Sequence, residues 1–544
     1  MRVAIEDVAR DPSGWVFAFD HPHAAPPHEL THLLGGKGAG LAEMTSGLGL
    51  PVPPGFTISL PLCQLYRDSG WPDGLMEAVA AHLERLSGVM GRRFGDPADP
   101  LLVAVRSGAP VSMPGMLDTV LNLGLNDDTV LGLEAASGQP WFAWDSYRRF
   151  LHMYATTVMG IDPAALHADP AAETAAAVRE QVVGLKRQII EIAGRPVPSD
   201  PLTQLREAIE AVFCSWDSQR ASVYREREGI DETMGTAVNV QAMVFGNRGP
   251  GSGTGVVFTR NPSTGERALY GDYLPRAQGE EVVSGAAKTW PIDRLRDHLP
   301  AAYAELTKAL RHLEIHYRDV CDVEFTLEEG KLWLLQTRIG KRGAVAAVRI
   351  AVELTEDPDI ALTTQEALDR VPAHTRERAR QEIVTRALGA TSGAEHLAAG
   401  LGASPGRATG RLVLSSSAAL EAADDVILVR KETSPEDVVG MSAAAGILTT
   451  RGGLVSHAAV VARGWGIPAV VGAHEIEVLD DAIRVANGSM VRVGEIVTID
   501  GSTGDVWRGE FTASDEVAHD AVERELPHLL ALERWAEQST AVDA

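Results

Sequence analysis

Residues 449–464 read TTRGGLVSHAAVVARG, and this pattern predicts a strand, a glycine turn and a helix in immediate succession. The AAGILTT run (444–450) is typical of a buried strand, and the residues after SH have helical periodicity. Ser456 stands at the N-cap position, which puts His457 in the first turn of the helix. An imidazole there is a nucleophile, and its phosphorylated form would lie beside the positive end of the helix. A hydrogen-bonded surface histidine is an alternative that the spacing alone leaves open.

Three neighbours of the histidine carry further expectations. The small side chains of Ala458 and Ala459 are expected to leave the approach to His457 open. Arg463 lies six residues further along, too far to share the face of His457 cleanly, so the pattern does not assign it a phosphate contact.

Composition limits the classes of function. The 544 residues suit two to four domains, and the net charge of −25 argues against wrapping nucleic acid or an anionic membrane. The three cysteines, Cys63, Cys214 and Cys321, fit neither a disulfide scaffold nor a metal knuckle. Neither a signal-peptide pattern nor an apolar run of about 20 residues is found, so we expect a cytoplasmic protein without membrane contact.

The chain divides into stretches of different texture. We predict an α/β multidomain fold with a nucleotide-binding domain over 1–340, and a helical insertion within it at about 128–232. Residues 341–395 are rich in alanine and charge and are expected to form a helical connector rather than a core. A second β-rich domain is predicted over 396–512, and the tail 513–544 contains a helical pattern at 516–538.

Glycine-rich segments and two cations suggest a phosphate site. The segment GNRGPGSGTG (246–255) joins two strand-like runs, and glycine lets backbone amides approach phosphate oxygens. The candidate nucleotide-binding residues in it are Gly251, Gly253, Thr254 and Gly255. Lys37 precedes a helical pattern in a glycine setting, and Arg106 follows an apolar strand, where its guanidinium can bind phosphate. A hairpin tip and solvated side chains are the competing interpretations.

The segment DVEFTLEEGKLWLLQTR (322–338) predicts a β-hairpin closed by EEG. Alternation puts Asp322, Glu324 and Thr326 on one face, and Gln336 and Arg338 on one face of the second strand. The oxygens of Glu324 and Gln336 are suitable ligands for Mg²⁺ bound together with a nucleotide. An amphipathic hairpin with a hydrated face is the alternative. Together with Lys37 and Arg106, these residues form a candidate Mg·ATP site.

Four segments resemble the pyruvate, phosphate dikinase family. They are VRSGAPVSMPGMLDTVLNLGLND (105–127), WDSYRRFLHMY (144–154), GSGTGVVFTRNPSTGERALYGDYLPRAQGE (251–280) and ETSPEDVVGM…GILTTRGGLVSHAAVVARG (432–464). The resemblance implies an ATP-grasp nucleotide-binding domain followed by a swivelling β/β/α phosphohistidine domain. It assigns Mg·ATP to Lys37, Arg106, Glu324, Gln336 and Arg338. It assigns the phosphocarrier role to His457.

The resemblance also implies a reaction. His457 would take a pyrophosphoryl group from ATP and release AMP, inorganic phosphate would accept the terminal phosphoryl group, and phospho-His457 would convert pyruvate to phosphoenolpyruvate. The related phosphoenolpyruvate synthases and antibiotic phosphotransferases use water instead of phosphate. They resemble the chain less, because SMPGMLDTVLNLGLND (112–127) is of the dikinase type.

Two departures from the family pattern qualify these expectations. The barrel domain that binds pyruvate in the family does not follow by Ala544, so a separate barrel protein or another acceptor is expected, and a homodimer is a further possible assembly. Val455 stands where the family has a regulatory threonine, which puts that regulation in doubt. Three hypotheses therefore stay open: a dikinase-type phosphotransferase, an enzyme that uses water or another acceptor, and a non-catalytic nucleotide-binding regulator.

Overall fold

The computed structural model describes seven stretches of the chain: 14–113, 115–166, 172–284, 289–387, 395–454, 456–509 and 524–542. The chain forms two compact units. The first consists of Met1–Ser252 with Trp333–Thr337, and the second of Gly253–Leu332 with Arg338–Ala544. This division does not coincide with the boundaries predicted at 340 and 395, which stay predictions.

The first unit contains an antiparallel sheet in the order β1-β2-β7-β5-β6. Its strands, with the short pair β3 and β4, are β1 (Val16–Ala18), β2 (Gly55–Ile58), β3 (Arg93–Phe94), β4 (Pro100–Leu101), β5 (Val103–Gly108), β6 (Thr119–Leu123) and β7 (Ala237–Ala242). Strands β5 and β7 are almost entirely buried, as expected for the centre of a covered sheet.

Eight α-helices belong to the described part of the first unit. They are α1 (Thr31–Ala42), α2 (Leu60–Ser69), α3 (Leu75–Met90), α4 (Thr129–Ser137), α5 (Pro140–Thr157), α6 (Ala175–Ala193), α7 (Pro201–Ser215) and α8 (Gln219–Glu228), with a π-helical turn at Glu43–Gly47. Three of the helices over 128–232, α6, α7 and α8, begin at side-chain caps, since Thr174, Asp200 and Ser218 each accept a hydrogen bond from a backbone amide of the first turn. The apolar faces of α4 to α7 form one core with β5, β6 and β7.

The second unit begins with a mainly antiparallel sheet in the order β10-β9-β8-β11-β12. Its strands are β8 (Gly253–Phe258), β9 (Tyr270–Pro275), β10 (Trp290–Pro291), β11 (Cys321–Glu328) and β12 (Lys331–Ile339), and the residues Trp333–Thr337 of β12 are counted with the first unit. The helices are α9 (Gly279–Ser284), α10 (Arg294–His298) and α11 (Pro300–Tyr317). The predicted hairpin is confirmed. Glu329 and Gly330 both have positive φ, the combination that a two-residue type I′ turn needs.

An eight-stranded sheet, in the order β13-β23-β22-β15-β16-β17-β18-β14, forms the next layer, and a small sheet of β19, β20 and β21 accompanies it. The strands are β13 (Glu395–Ala399), β14 (Leu401–Ser404), β15 (Arg407–Val413), β16 (Val426–Arg430), β17 (Gly446–Thr449), β18 (Ala469–Val471), β19 (Ile476–Val478), β20 (Ala482–Val485), β21 (Met490–Arg492), β22 (Ile496–Asp500) and β23 (Asp505–Arg508). The helices at this level are α12 (Ala344–Glu356), α13 (Thr364–Arg370), α14 (Ala373–Ala387), α15 (Ser416–Glu421), α16 (Val438–Ala443), α17 (His457–Trp465) and α18 (Pro527–Val542).

Strand alternation explains why this sheet has a core on both faces. Along β16, Val426 and Leu428 pack toward α15, α16 and α17, while Ile427 and Val429 pack toward β20 and β21. The layers are therefore sheet, sheet and helix, the predicted β/β/α arrangement. The central strands β15 to β18 run parallel, so the loop after β17 leaves the sheet at a strand's carboxyl end, and this loop leads to α17.

The helices over 341–395 differ from the expected connector. Helices α12, α13 and α14 share a buried apolar cluster with α18, to which Leu526, Leu529 and Leu532 contribute. Alanine-rich helices pack closely because their side chains are small, so this segment has a core of its own. The predicted start of the tail helix at 516 lies outside the described residues. None of the helices in the described stretches has the length and apolar character needed to span a bilayer.

Candidate active site

Lys37 lies in α1 just after a break in the helix. Gly35 has φ 66° and ψ 167°, and its backbone touches Gly108, since an added Cβ would lie 1.7 Å from the Gly108 carbonyl oxygen. The Gly36 amide donates to the Ala109 carbonyl at 2.8 Å, outside the helical pattern. Lys37 therefore begins a new helical segment beside the loop that follows β5, as the glycine setting predicted.

Arg106 lies near the end of β5 in the same unit. Its Nη1 donates to the carbonyl of Leu335 at 3.4 Å, which links β5 to the segment that carries Gln336. An added Cβ at Gly40 would lie 3.2 Å from the Thr337 carbonyl oxygen, so α1 contacts this segment too. The first unit thus brings the backbone around Gln336 next to the two elements that carry Lys37 and Arg106.

The hairpin of the second unit carries Glu324 and Arg338. Arg338 Nε donates to Asp322 Oδ2 at 2.7 Å, and this ion pair orients the guanidinium. Glu324, two residues from Asp322, is half-buried. Asp322 was placed on this face by alternation but was left out of the candidate site residues. A buried carboxylate that orients a candidate phosphate-binding arginine belongs with them.

The glycine-rich segment has a different structure from the hairpin tip considered above. It joins β7 and β8, which belong to different sheets. Gly253, Thr254 and Gly255 lie inside β8, and an added Cβ at Gly253 would lie 2.2 Å from the Tyr273 hydroxyl. The Thr254 hydroxyl donates to the Phe325 carbonyl at 3.1 Å. Packing therefore accounts for these three residues. Gly251, with φ 78°, lies in the connecting loop.

His457 is the first residue of α17, and only 8% of it is exposed. Burial lowers the pKa of the imidazole to about 4, although the carboxylates of Asp437 and Glu436 oppose this shift. Its Nδ1 lies 3.2 Å from the Thr433 hydroxyl oxygen. Its Nε2 has no hydrogen-bond partner among the described residues. The ring is therefore neutral at pH 7, with Nδ1 near a hydroxyl and Nε2 buried without a hydrogen-bond partner among the described residues.

Thr433 was not predicted from the sequence. It lies 24 residues before His457, in the loop after β16, and the parallel pairing of β16 with β17 brings the two loops together. The same loop holds Asp437, whose carboxylate accepts from the Ser416 hydroxyl at 2.8 Å and pairs with Arg430 at 3.3 Å. The charge of Asp437 is therefore balanced by Arg430.

The residues after the histidine have structural roles. Ala458 and Ala459 are buried against the eight-stranded sheet, where their small size lets α17 pack closely. That they also leave the approach to His457 open stays a prediction. Arg463 is buried, and its guanidinium donates to the carbonyls of Ala403 and Leu454, each at 2.6 Å. It holds the histidine loop against β14.

The histidine loop also contacts the strand next to β8. An added Cβ at Gly453 would lie 2.4 Å from Asp272 Oδ2, so only glycine leaves room for the buried carboxylate of Asp272 on β9. The second unit therefore brings the loop before His457 against the sheet that carries Glu324, Asp322 and Arg338.

Two family models match the chain. Residues 61–292 match the pyruvate phosphate dikinase AMP/ATP-binding domain, and residues 422–504 match the mobile domain of PEP-utilising enzymes. The chain is 48% identical over 528 residues to pyruvate, phosphate dikinase of Rhizobium meliloti (strain 1021), which covers 91% of this chain and 58% of the relative. The chain belongs to the pyruvate, phosphate dikinase family.

Other members of the family are similar over the same extent. Identity is 48% over 518 residues to the chloroplastic pyruvate, phosphate dikinase 1 of Oryza sativa subsp. japonica, covering 91% of this chain and 54% of the relative. The identity to pyruvate, phosphate dikinase of Clostridium symbiosum is 44% over 535 residues, covering 94% of this chain and 60% of the relative. The sequence thus spans somewhat more than half the length of these dikinases. The predicted fold class, an ATP-binding domain followed by a mobile phosphohistidine-type domain, is confirmed.

The candidate dikinase residues are distributed over both units. Lys37, Arg106, Gly251 and Gln336 lie in the first unit, and Gly253, Thr254, Gly255, Glu324, Arg338 and His457 in the second. Val455, on which the doubt about regulation rests, lies outside the described residues. The contacts of Asp322 with Arg338 and of Thr433 with His457 add these two residues to the candidates.

Proposed function

We propose that this chain is an ATP-dependent histidine phosphotransferase of the dikinase type, with His457 as the phosphocarrier. The observation that carries the proposal is the state of the imidazole. It is buried, it is neutral because its pKa is about 4, Nδ1 is held by Thr433, and Nε2 has no partner among the described residues. A neutral, oriented imidazole is a nucleophile, whereas a surface histidine with satisfied nitrogens is not.

In the first step, the lone pair of Nε2 forms a bond to the β-phosphorus of ATP. The bond from that phosphorus to the oxygen bridging the α and β positions breaks, and the oxygen leaves with AMP. The Nδ1 proton stays on the ring, where the Thr433 hydroxyl oxygen accepts it in a hydrogen bond. The product is pyrophosphoryl-His457.

In the second step, an oxygen of inorganic phosphate attacks the terminal phosphorus. The bond from this phosphorus to the bridging oxygen breaks, so pyrophosphate leaves and one phosphoryl group stays on Nε2. Transfer of that group to pyruvate completes the proposed reaction, at a pyruvate site that we place outside the residues discussed above, on this polypeptide or on a partner barrel protein.

Mg²⁺ fits the donor set proposed for the nucleotide. Glu324 and Gln336 offer hard oxygen ligands, and Asp322 is already engaged by Arg338. When bound, Mg²⁺ would neutralise phosphate charge and polarise the leaving oxygen. Lys37, Arg106 and Arg338 supply the cations that bind phosphate oxygens in this proposal, and Gly251 contributes a backbone amide.

A cytoplasmic location belongs to the same proposal. Cys63, Cys214 and Cys321 are free thiols in the structure, as expected of a reducing compartment.

The test uses ATP labelled with ³²P at either the β or the γ phosphate. The full chain is incubated with Mg²⁺, with and without inorganic phosphate, and the protein-bound label is counted. We expect β label to accumulate on the wild type and γ label to be lost as pyrophosphate only when phosphate is added. His457→Ala should take up neither label. His312→Ala is the matched control, because His312 is an exposed histidine on α11.

Three results would overturn parts of the proposal. No label on the wild type would exclude the phosphotransferase and favour a nucleotide-binding regulator. Loss of the γ label without added phosphate would identify water as the acceptor. Label on His457→Ala would place the phosphocarrier elsewhere.

A further inference from the structure

Ser456 is the N-cap of α17, but its side chain does not cap the helix. Its backbone has the extended conformation of an N-cap, φ −61° and ψ 161°, yet its hydroxyl donates to and accepts from no described group. Only 5% of the residue is exposed. A buried hydroxyl without a partner costs free energy, and such groups in native proteins normally meet a ligand or a water molecule.

The start of the helix supplies further unused donors. The first intrahelical bond runs from the Val460 amide to the Ser456 carbonyl at 3.0 Å, so the amides of Ala458 and Ala459 come before any possible intrahelical acceptor. The helix has nine residues, and its amino end carries a partial positive charge. Besides the Ser456 hydroxyl, His457 Nε2 is a second buried polar atom without a partner at the amino end of α17. It is the atom proposed to carry phosphate.

The turn before the serine keeps space beside the hydroxyl. Gly452 has φ 104°, and an added Cβ there would lie 3.1 Å from Ser456 Oγ. Asp437 and Glu436 both act electrostatically on His457, and Asp437 is paired with Arg430 and accepts from the Ser416 hydroxyl, which limits its repulsion of an anion. The amino end of α17 next to His457 Nε2 therefore combines hydrogen-bond donors without partners, space beside the Ser456 hydroxyl and a partial positive charge.

We infer that Ser456 and the first amides of α17 form the binding site for the phosphoryl group on His457. The Ser456 hydroxyl donates to one phosphoryl oxygen, and the amides of Ala458 and Ala459 face the others. The chemical class of the ligand is a phosphoryl or pyrophosphoryl anion attached to Nε2. This inference rests on the proposed function, since it requires His457 to be phosphorylated.

The experiment compares Ser456→Ala, Ser456→Thr and the control Ser442→Ala after labelling with [β-³²P]ATP and Mg²⁺. Ser442 lies on α16, and its hydroxyl donates to the Val439 carbonyl of its own helix. For Ser456→Ala we expect a labelling rate about tenfold lower and a half-life of isolated phosphohistidine several-fold shorter. Ser456→Thr keeps a hydroxyl and should restore most of both, and Ser442→Ala should match the wild type.

Thermal unfolding separates binding from helix capping. Since the Ser456 hydroxyl has no partner, Ser456→Ala should leave the Tm unchanged or raise it, whereas loss of a capping bond would lower the Tm. If the wild type is labelled, and Ser456→Ala is labelled at the same rate and keeps its label equally long, this inference is overturned and the proposed function stays intact. An unlabelled wild type would instead overturn the proposed function itself.

Discussion

At the scale of single residues, burial sets the chemistry of His457. An exposed imidazole is partly protonated near neutral pH, whereas this one stays neutral because its pKa is lowered to about 4. Burial therefore preserves the nucleophile over the whole physiological range. The rate of histidine labelling should accordingly show no inflection near pH 6.5 that belongs to this ring.

The depressed pKa of His457 also predicts a dependence of stability on pH. Between its ordinary value of 6.5 and about 4, the unfolded chain binds a proton on this ring and the folded chain does not. The free energy of unfolding therefore falls as the pH falls through this window. Between pH 7 and pH 5 we expect the wild type to lose on the order of 2 kcal/mol more than His457→Asn.

Hydrogen exchange of the amides in β15 to β18 measures this difference, because it reports the free energy of opening for that sheet alone. Equal losses in the wild type and in His457→Asn would show that the ring titrates with an ordinary pKa.

Thr433 is predicted to act by holding the ring of His457. Thr433→Val keeps the shape but removes the hydroxyl that lies 3.2 Å from Nδ1. Loss of a hydrogen bond of about 1–1.5 kcal/mol should slow histidine labelling about tenfold, while Thr433→Ser should label near the wild-type rate. Single-turnover labelling with [β-³²P]ATP measures both, and an unchanged rate for Thr433→Val would exclude this role.

At the scale of secondary-structure elements, glycines decide how closely strands and rings pack. An alanine Cβ at Gly255 would lie 2.6 Å from the Asp272 carbonyl oxygen and from the Phe325 ring. Gly255→Ala should therefore lower the free energy of unfolding by about 1–3 kcal/mol, because a backbone carbonyl and a packed ring have to move.

Gly184→Ala is the matched control for this substitution. Gly184 lies in α6 with nothing within 4 Å of an added Cβ, so its replacement should raise stability by about 0.5–1 kcal/mol. Urea unfolding measures both variants. If the two substitutions changed the free energy of unfolding equally, close packing would not explain why residue 255 is a glycine.

Arg463 is predicted to stabilise the packing of α17 and the histidine loop against β14. Arg463→Met would leave the carbonyls of Ala403 and Leu454 buried without their donor, at a cost of about 2–4 kcal/mol. Arg484→Met removes an exposed ion pair with Glu477 and should change stability by less than about 1 kcal/mol. Hydrogen exchange of the amides in β14 and β17 measures the loss of stability in each variant. Equal protection in Arg463→Met and Arg484→Met would contradict the stabilising role of Arg463.

At the scale of the whole molecule, separate cores predict that unfolding is not two-state. A large apolar cluster lies in the first unit, and the second unit has clusters on both faces of its large sheet and among α12 to α14 and α18. Differential scanning calorimetry should give a calorimetric enthalpy larger than the van't Hoff enthalpy. A ratio of one would show that all of these cores unfold together.

Much of the local structure could be predicted from the sequence. Alternation of apolar and polar residues predicted the strands β11 and β12, and EEG fits a turn that needs two residues with positive φ. Spacing likewise predicted the strand, turn and helix around His457, with Ser456 at the N-cap. The long motifs at 105–127 and 432–464 indicated the pyruvate, phosphate dikinase family.

Only the tertiary structure decided which residues meet. Thr433 reaches His457 across 24 residues, and Arg106 reaches Leu335 across 229, because strand order and not sequence distance brings loops together. The structure also put Gly253, Thr254 and Gly255 into a strand, where packing explains them, and it left the Ser456 hydroxyl without a partner. Local patterns fix the elements because they depend on neighbouring residues, while the reactivity of His457 depends on burial, which the packing of distant elements creates.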